Sequence, residues 1–91
     1  MSGLVSRTVL ITNRRGLHAR ASAKFVTVAA EQSIVVEVEK DGNCVTGTSI
    51  MGLMMLGAAM GDHVTIKASG DGAEAAVSAL AALVEAKFGE E

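Results

Sequence analysis

Apolar and polar residues alternate along some parts of this chain and follow a helical spacing along others. Residues 5–11 are rich in β-branched side chains, and residues 34–39 end in an apolar-polar alternation, so we predict a strand in each segment. Between them, the alanine-rich residues 19–30 carry apolar side chains at helical spacing and predict a first helix. Turn residues at 40–43 indicate a hairpin whose short return strand covers residues 44–46.

The second half of the chain predicts a short helix, a strand and a longer helix. Ser49 precedes the apolar residues 50–56 and Gly57 follows them, which is the order of an N-cap, a short helix and a glycine stop. Residues 64–69 alternate and predict a fourth strand, with His63 at its entrance as a solvated loop residue. A final helical stripe after Gly72 consists of Ala76, Val77, Leu80, Leu83, Val84 and Phe88. The order β-α-β-β-α-β-α favours an α+β fold with an antiparallel sheet and helices on one face.

Composition limits the kind of domain and the kind of ligand. A length of 91 residues and a hydrophobic share of 49% predict a single domain over residues 1–91. Two Phe and no Trp or Tyr disfavour nucleic-acid binding by base stacking. Cys44 is the single cysteine, which excludes an internal disulfide or a multi-cysteine metal site, and we interpret it as a small buried residue. Without a signal-peptide pattern or a membrane-length apolar run, we expect a cytoplasmic protein without membrane insertion.

Charge and methionine are both distributed unevenly. The net charge is −2, yet residues 1–30 hold five basic residues and no acidic one, while residues 31–91 hold three Lys and ten acidic residues. This division predicts that the basic part docks on an acidic partner surface. Every non-glycine residue of the predicted helix 50–56 is apolar, so part of this methionine-rich surface faces either solvent or a partner, unless it only fills the core.

Candidate chemistry is concentrated at residues 13–20, where the first strand gives way to the first helix. The N-terminus of a helix offers unpaired N–H groups and a partial positive charge, which together favour an anion. Three arginines, Arg14, Arg15 and Arg20, nevertheless surround this position together with His18. We therefore hypothesise that His18 handles a phosphoryl group. The alternative is a solvated turn histidine beside a basic patch.

Two segments of the sequence resemble the HPr family, the histidine phosphocarriers of the phosphoenolpyruvate-dependent phosphotransferase system. Residues 16–20, Gly-Leu-His-Ala-Arg, are similar to its active-site signature, and residues 48–57 are similar to its serine-site segment. The separation of the two motifs also fits, and the resemblance extends from about Arg7 to Phe88. One departure is Ala21, which stands where the family usually has proline.

The resemblance implies an open-faced β-sandwich, with four antiparallel strands and three helices on one face. It also implies that His18 accepts a phosphoryl group on Nδ1 from phosphorylated enzyme I and passes it to a histidine of an enzyme IIA domain, assisted by Arg20. Ser49 matches the serine that an HPr kinase/phosphorylase modifies in some bacteria. We expect enzyme I to dock on the face that combines the first helix with the methionines, through Arg14, Arg15, Ala21, Lys24, Met51 and Met54.

Several alternatives stay open from the sequence. The carrier could serve sugar transport or the nitrogen-related regulatory branch, and the residues do not decide between them. A non-catalytic interaction domain would explain the methionines and the charge division equally well. A small hydrolase of acyl phosphates or phosphate esters would predict turnover without a partner. The chain shows no nucleotide-binding loop, metal cluster or lid, so we expect a relay without a cofactor rather than an autonomous enzyme.

Overall fold

The computed structural model describes residues 3–90 and contains a four-stranded sheet with three helices on one face. The elements are β1 (Leu4–Leu10), α1 (Ala19–Ala30), β2 (Glu37–Lys40), β3 (Asn43–Thr46), α2 (Ile50–Met55), β4 (His63–Ser69), α3 (Ala73–Glu85) and a 3₁₀ turn (Lys87–Gly89). The strand order is β1-β4-β2-β3, and each neighbouring pair is antiparallel. The predicted α+β open-faced sandwich and its element order are confirmed.

Alternation along the strands separates a buried sheet face from a wet one. On β4 the side chains of Val64, Ile66 and Ala68 are buried beneath the helices, as predicted. The residues between them face outward, where the Lys67 ammonium lies 2.6 Å from a Glu39 carboxylate oxygen. Because this outer face is polar, the sheet needs helices on one side only.

The core is built almost entirely from aliphatic side chains. Helices and sheet meet in one cluster whose largest fully buried members are Phe25, Phe88, Ile11, Leu53, Ile66 and Leu80. The hairpin between β2 and β3 turns through Asp41 and Gly42, both with positive φ, 52° and 82°. Two successive left-handed residues match the twist of paired strands, so the predicted hairpin is confirmed.

Four predictions of detail are wrong. Residues 34–36 precede the regular ladder, which begins at Glu37, although Val36 is buried and accepts a hydrogen bond from the Gly47 amide at 2.7 Å. Cys44 is exposed, because it lies on the edge strand β3 opposite Glu39 and shares the outer sheet face. His63 is the first residue of β4 and pairs with Leu10, so it is exposed but not a loop residue.

The fourth error concerns the end of the last helix. Helix α3 ends at Glu85, and Phe88 is not part of its stripe. Lys87 and Phe88 have φ values of 58° and 56°, which are incompatible with a right-handed helix. Phe88 is nevertheless fully buried, because the change of direction points its ring back into the core.

No helix within residues 3–90 has both the length and the apolar character needed to cross a membrane.

Candidate functional site

His18 is the N-cap of helix α1. Its backbone is extended, with φ −75° and ψ −179°, while its carbonyl already accepts the Ser22 amide at 2.8 Å. The ring caps the helix, because its Nδ1 accepts a hydrogen bond from the Arg20 amide at 3.3 Å. Position and orientation of His18 therefore follow from helix capping, and the predicted helix start at Ala19 is confirmed.

The loop before His18 is fixed by close backbone packing. Gly16 has a positive φ of 64°, and a Cβ atom placed there would lie 2.3 Å from the Ala58 carbonyl oxygen. The next amide, that of Leu17, donates to the same oxygen at 3.0 Å. Only glycine fits so close to the backbone of residues 58–59. The hydrogen bond from Leu17 then holds the loop against these residues, immediately before the histidine.

Asn13 supports the loop from within. It is the first residue of the candidate segment 13–20 and is buried, with 1% of its surface exposed. Its side-chain Nδ2 donates to the Gly16 backbone carbonyl at 2.9 Å, and its backbone carbonyl accepts a hydrogen bond from the Gly16 amide at 3.2 Å. The same Nδ2 lies 3.2 Å from Oε1 of Glu90. Asn13 thus connects the His18 loop to a residue 77 positions later in the sequence.

Glu90 is the residue of the cleft around His18 that sequence reasoning missed. Its Oε2 lies 2.5 Å from Nε2 of His18, so the two side chains form a direct hydrogen bond. Neither hydrophobic pattern nor motif spacing indicates this pair. The one signal that could have suggested the pair is an acidic residue shortly after Phe88. An apolar side chain that has to enter the core changes the direction of the chain, and the residues after it then lie elsewhere than a continued helix would place them.

The return segment, residues 86–90, carries Glu90 to the histidine. Lys87, Phe88 and Gly89 have successive φ values of 58°, 56° and 77°, which reverse the chain after α3. Buried Phe88 anchors the segment, and the ammonium group of Lys24 in α1 donates a hydrogen bond to the Phe88 backbone carbonyl at 2.8 Å. Two non-glycine residues in the left-handed region are costly, so these contacts must hold the segment in place.

The cleft holds one carboxylate and three guanidiniums, so its net charge is positive. Its volume is about 260 Å³, and it is lined by Arg14, Arg15, His18, Arg20 and Glu90. The hydrogen bond from His18 lowers the pKa of the Glu90 carboxyl most; partial burial opposes this, and Asn13 and the charge of Arg15 add to the lowering. Glu90 is consequently ionised at neutral pH.

The two hydrogen bonds of the His18 ring define its tautomer. A carboxylate can only accept a hydrogen bond, so Nε2 must carry the proton that points at Glu90. Nδ1 accepts from the Arg20 amide and must therefore hold a lone pair. The unprotonated nitrogen faces the N-terminus of α1 and the cleft with its arginines, which is the arrangement a phosphoryl acceptor requires.

The structure brings four of the predicted site residues together in the cleft and places Lys24 and Ala21 outside it. Arg14, Arg15 and Arg20 are exposed and line the cleft with His18. Lys24 is used by the return segment. The prediction that Ala21 contacts a partner is wrong, because its side chain is fully buried against the core in the first turn of α1.

Ser49 and the methionines lie on the neighbouring helix α2, which packs on α1. Ser49 is the N-cap of α2, and its hydroxyl accepts the Gly52 amide at 2.9 Å, as predicted. The methionine surface, which we define as Ile50, Met51, Met54 and Met55, is solvent-exposed, with exposed fractions of 42%, 71%, 44% and 79%. The alternative that these methionines only fill the core is therefore wrong for α2.

Within residues 3–90, no group of three or more His, Cys, Asp or Glu side chains is placed to hold a metal ion. The chemistry available in the cleft is that of an imidazole, a carboxylate and guanidinium groups.

Comparison with known proteins identifies relatives over nearly the whole chain. Residues 5–86 match the family model described as the PTS HPr component phosphorylation site. The chain is 41% identical to the phosphocarrier protein HPr of Cupriavidus necator, covering 96% of this chain and 98% of the relative. It is 38% identical to the phosphocarrier protein NPr of Shewanella violacea, covering 94% of each. The crystal structure of HPr-C-His from Thermoanaerobacter tengcongensis superposes with a TM-score of 0.87 at 45% identity, covering 96% and 98% of the two chains.

Proposed function

The chain belongs to the HPr family of phosphotransferase-system phosphocarriers, and from this premise we propose that His18 receives a phosphoryl group on Nδ1 from phosphorylated enzyme I in the cytoplasm and donates it to a histidine of an enzyme IIA domain. One observation carries the assignment to His18: its unprotonated Nδ1 lies at the N-terminus of α1, in a cleft lined by three arginines. His63, the other histidine, begins β4 and does not line this cleft.

The transfer needs no chemistry beyond that of the ring. The Nδ1 lone pair attacks the phosphorus of the donor's phosphohistidine, a new N–P bond forms, and the donor's N–P bond breaks with its electron pair returning to the donor ring. The hydrogen bond from the Arg20 amide to Nδ1 is long, at 3.3 Å, so little is lost when Nδ1 bonds to phosphorus instead. That amide can then donate to a phosphoryl oxygen.

The surroundings stabilise the charge that is transferred. A phosphoryl group on Nδ1 would lie at the positive end of α1, where amides of the first turn lack carbonyl partners. Arg20, in the first turn, and Arg14 and Arg15, in the loop, supply guanidiniums that bind phosphoryl oxygens through paired N–H groups. Positioning and charge neutralisation are the main requirements of phosphoryl transfer.

Partner proteins dock on the helical face beside the cleft. The methionine surface is apolar and exposed, and α2 packs against α1, which begins at the histidine. Methionine side chains adapt to differently shaped surfaces, which suits a carrier that must meet a donor and an acceptor with the same face. The exposed Arg14 and Arg15 at the cleft steer an acidic partner toward it.

Ser49 is a regulatory position in this proposal. Its hydroxyl faces the amides that begin α2, so an added phosphate would meet N–H donors and leave the helix folded. The same phosphate would place a charge of about −1.5 to −2 beside the methionine surface, where an apolar contact has to be desolvated. An HPr kinase/phosphorylase would be the modifying partner.

The branch of the phosphotransferase system is a separate question. Sugar transport is the first candidate, because similarity to HPr of Cupriavidus necator extends over 96% of this chain. The nitrogen-related branch is the second candidate, because similarity to NPr of Shewanella violacea is nearly as great. Incubating the phosphorylated carrier with a sugar-specific enzyme IIA and with a nitrogen-branch enzyme IIA, and comparing the two transfer rates, separates the candidates.

The central test is phosphorylation in a purified system. With enzyme I and phosphoenolpyruvate, the wild-type chain should gain one acid-labile phosphoryl group by mass spectrometry, as should a His63→Ala control, while His18→Ala should gain none. A non-catalytic interaction domain would gain no phosphoryl group in any variant. A phosphate hydrolase would instead turn over acyl phosphates without enzyme I.

A further inference from the structure

We propose that Glu90 is a positioning residue for His18. Its carboxylate holds one proton on Nε2 of the His18 ring throughout both transfers, so that Nδ1 is always the reacting nitrogen. This inference rests on the proposed function of His18 and adds a residue beyond it. Its basis is the direct 2.5 Å contact between the Glu90 carboxylate and Nε2, together with the anchored return segment that places Glu90 there.

A neutral imidazole can carry its proton on either nitrogen, and only one of the two forms can accept a phosphoryl group on Nδ1. The Arg20 amide favours the productive form, but its contact with Nδ1 is long, at 3.3 Å. Glu90 provides a charge-assisted hydrogen bond on the other side of the ring. The carboxylate therefore contributes more to the choice of tautomer than the amide does.

The same contact offsets the positive charge that the His18 ring gains when it accepts the phosphoryl group. As the Nδ1 lone pair forms the N–P bond, the ring retains its Nε2 proton and gains positive charge. The Glu90 carboxylate, held by Asn13 as well as by His18, faces that charge directly. No proton has to leave Nδ1 and none has to enter from water.

The outgoing transfer proceeds in reverse. When the N–P bond breaks, its electron pair returns to Nδ1, and the ring that leaves phosphorus is a neutral imidazole because Nε2 is still protonated. Had Nε2 lost its proton, the leaving group would be an imidazolate anion, which is much poorer. A carboxylate at Nε2 thus assists donation to the acceptor as well as acceptance from the donor.

Charge alone predicts the opposite effect, since a carboxylate near the cleft repels a phosphoryl group. The geometry argues against it, because Glu90 contacts the nitrogen on the far side of the ring from Nδ1. The two views predict opposite signs for removal of the carboxylate, so kinetics can decide between them.

Three variants separate the contributions of Glu90. Glu90→Ala removes both the hydrogen bond and the charge, Glu90→Gln keeps an acceptor without the charge, and Glu90→Asp keeps the charge on a shorter arm. Glu85→Gln is the matched control, since Glu85 is an exposed carboxylate at the end of α3 outside the cleft. Because Glu90 is at the surface end of the segment while Phe88 provides its anchor, all four variants should fold.

The first measurement is the ¹⁵N NMR spectrum of the His18 ring in the unphosphorylated protein at neutral pH. Wild type and Glu85→Gln should show a protonated Nε2 and a bare Nδ1, whereas Glu90→Ala should show exchange between tautomers. Glu90→Asp should restore the wild-type pattern at least in part. A wild-type pattern in Glu90→Ala would overturn the proposal.

The second measurement is the transfer rate in each direction. Both acceptance from enzyme I and donation to an enzyme IIA domain should fall about tenfold in Glu90→Ala, the lower end of what losing a histidine's carboxylate partner costs at metal sites. The transfer rates of Glu90→Gln should lie between those of wild type and Glu90→Ala. Unchanged or faster transfer in Glu90→Ala would overturn the proposal. If wild type accepted no phosphoryl group at all, the proposed function would fail, while the tautomer spectra would still test the role of Glu90.

Discussion

Gly16 shows at the scale of one residue how the site depends on backbone space. A methyl group at this position would meet the Ala58 carbonyl oxygen at 2.3 Å, on a backbone with a φ of 64°. We expect Gly16→Ala to lower the free energy of unfolding by about 2–4 kcal/mol, from left-handed strain plus overpacking. Urea denaturation would measure it.

Gly57→Ala is the matched control for this prediction. Gly57 has a similar φ of 67°, but a methyl group added there would meet nothing within 4 Å, so only conformational strain of about 1–2 kcal/mol should appear. Equal losses in the two variants would mean that the approach of Gly16 to Ala58 is unimportant.

Arg20 is the residue at which function and local stability should separate. Its guanidinium lies in the first turn of α1, where a positive charge is unfavourable by about 0.3–1 kcal/mol. Arg20→Ala should therefore leave stability unchanged or slightly raised, and should slow phosphoryl transfer at least tenfold, because charge-assisted contacts to the phosphoryl oxygens are lost. Arg7→Ala, which removes an exposed arginine of β1, is the control. Wild-type kinetics with both partners would exclude Arg20 from the site.

Sequence reasoning identifies those site residues whose chemistry shows in the local pattern. His18 and the three arginines are adjacent in sequence and lie at a predictable helix start, so their meeting in one cleft could be expected. Asn13 and Glu90 could not be found in this way. Their roles depend on contacts between residues 77 and 72 positions apart, which no local periodicity records.

At the scale of elements, helix α2 combines a polar cap with an apolar exposed surface. Ser49→Ala removes the hydroxyl that accepts the Gly52 amide, and should lower stability by about 0.5–2 kcal/mol while transfer continues. Ser49→Asp should retain stability, because its carboxylate can cap the helix, yet it should slow phosphorylation of His18 by enzyme I through the fixed charge beside the methionine surface. Denaturation curves and transfer rates for both variants provide the comparison. An aspartate variant phosphorylated as fast as wild type would remove the physical basis for regulation at Ser49.

Elements with a long and regular pattern are predictable, whereas their ends are less so. The sequence identifies α1 with its observed bounds, because the alanine-rich pattern begins at a cap and stops before polar residues. The error at α3 has a definite cause. Phe88 fits the helical spacing and is buried, so its apolar character agrees with two backbone paths, and only the left-handed φ of Lys87 and Phe88 distinguishes them.

At the scale of the whole molecule, the uneven charge should set how fast partners meet. All five basic residues within positions 1–30 belong to a segment without acids, and three of them line the cleft. Association with enzyme I should slow as salt rises, because the Debye length shrinks from about 10 Å at 0.1 M to about 3 Å at 1 M. Dissociation should change much less. Stopped-flow association at several salt concentrations would measure both.

A double variant, Met51→Asp with Met54→Asp, provides the contrast to the salt experiment. It should mainly accelerate dissociation, since it removes an apolar contact. Leu4→Asp, at the opposite end of β1 from Leu10 and the His18 loop, is the exposed apolar control. Salt-independent association, or wild-type affinity in the double variant, would contradict docking on this face.

Acid should remove the contribution to stability that the ionised Glu90 carboxylate makes through its contact with His18. The pKa of Glu90 is lowered in the folded protein relative to its usual 4.5, so the carboxylate stabilises the fold above that value, and this contribution is lost as pH falls through the lowered pKa. The stability difference between wild type and Glu90→Gln should therefore be present at neutral pH and disappear as pH falls through the lowered pKa. Thermal melts from neutral to acidic pH would check it. A difference that persists at pH values well below the lowered pKa would contradict an ionised Glu90.

The strand order has a consequence for how the protein is made. Strand β1 pairs with β4 rather than with the strand that follows it in sequence, and Glu90 reaches His18 only after α3 is complete. On the ribosome, His18 is therefore synthesised early but acquires its neighbours late, since β4 and the return segment emerge after most of the chain. A nascent chain stalled before β4 would expose the histidine without the cleft and the Glu90 contact that surround it in the complete fold.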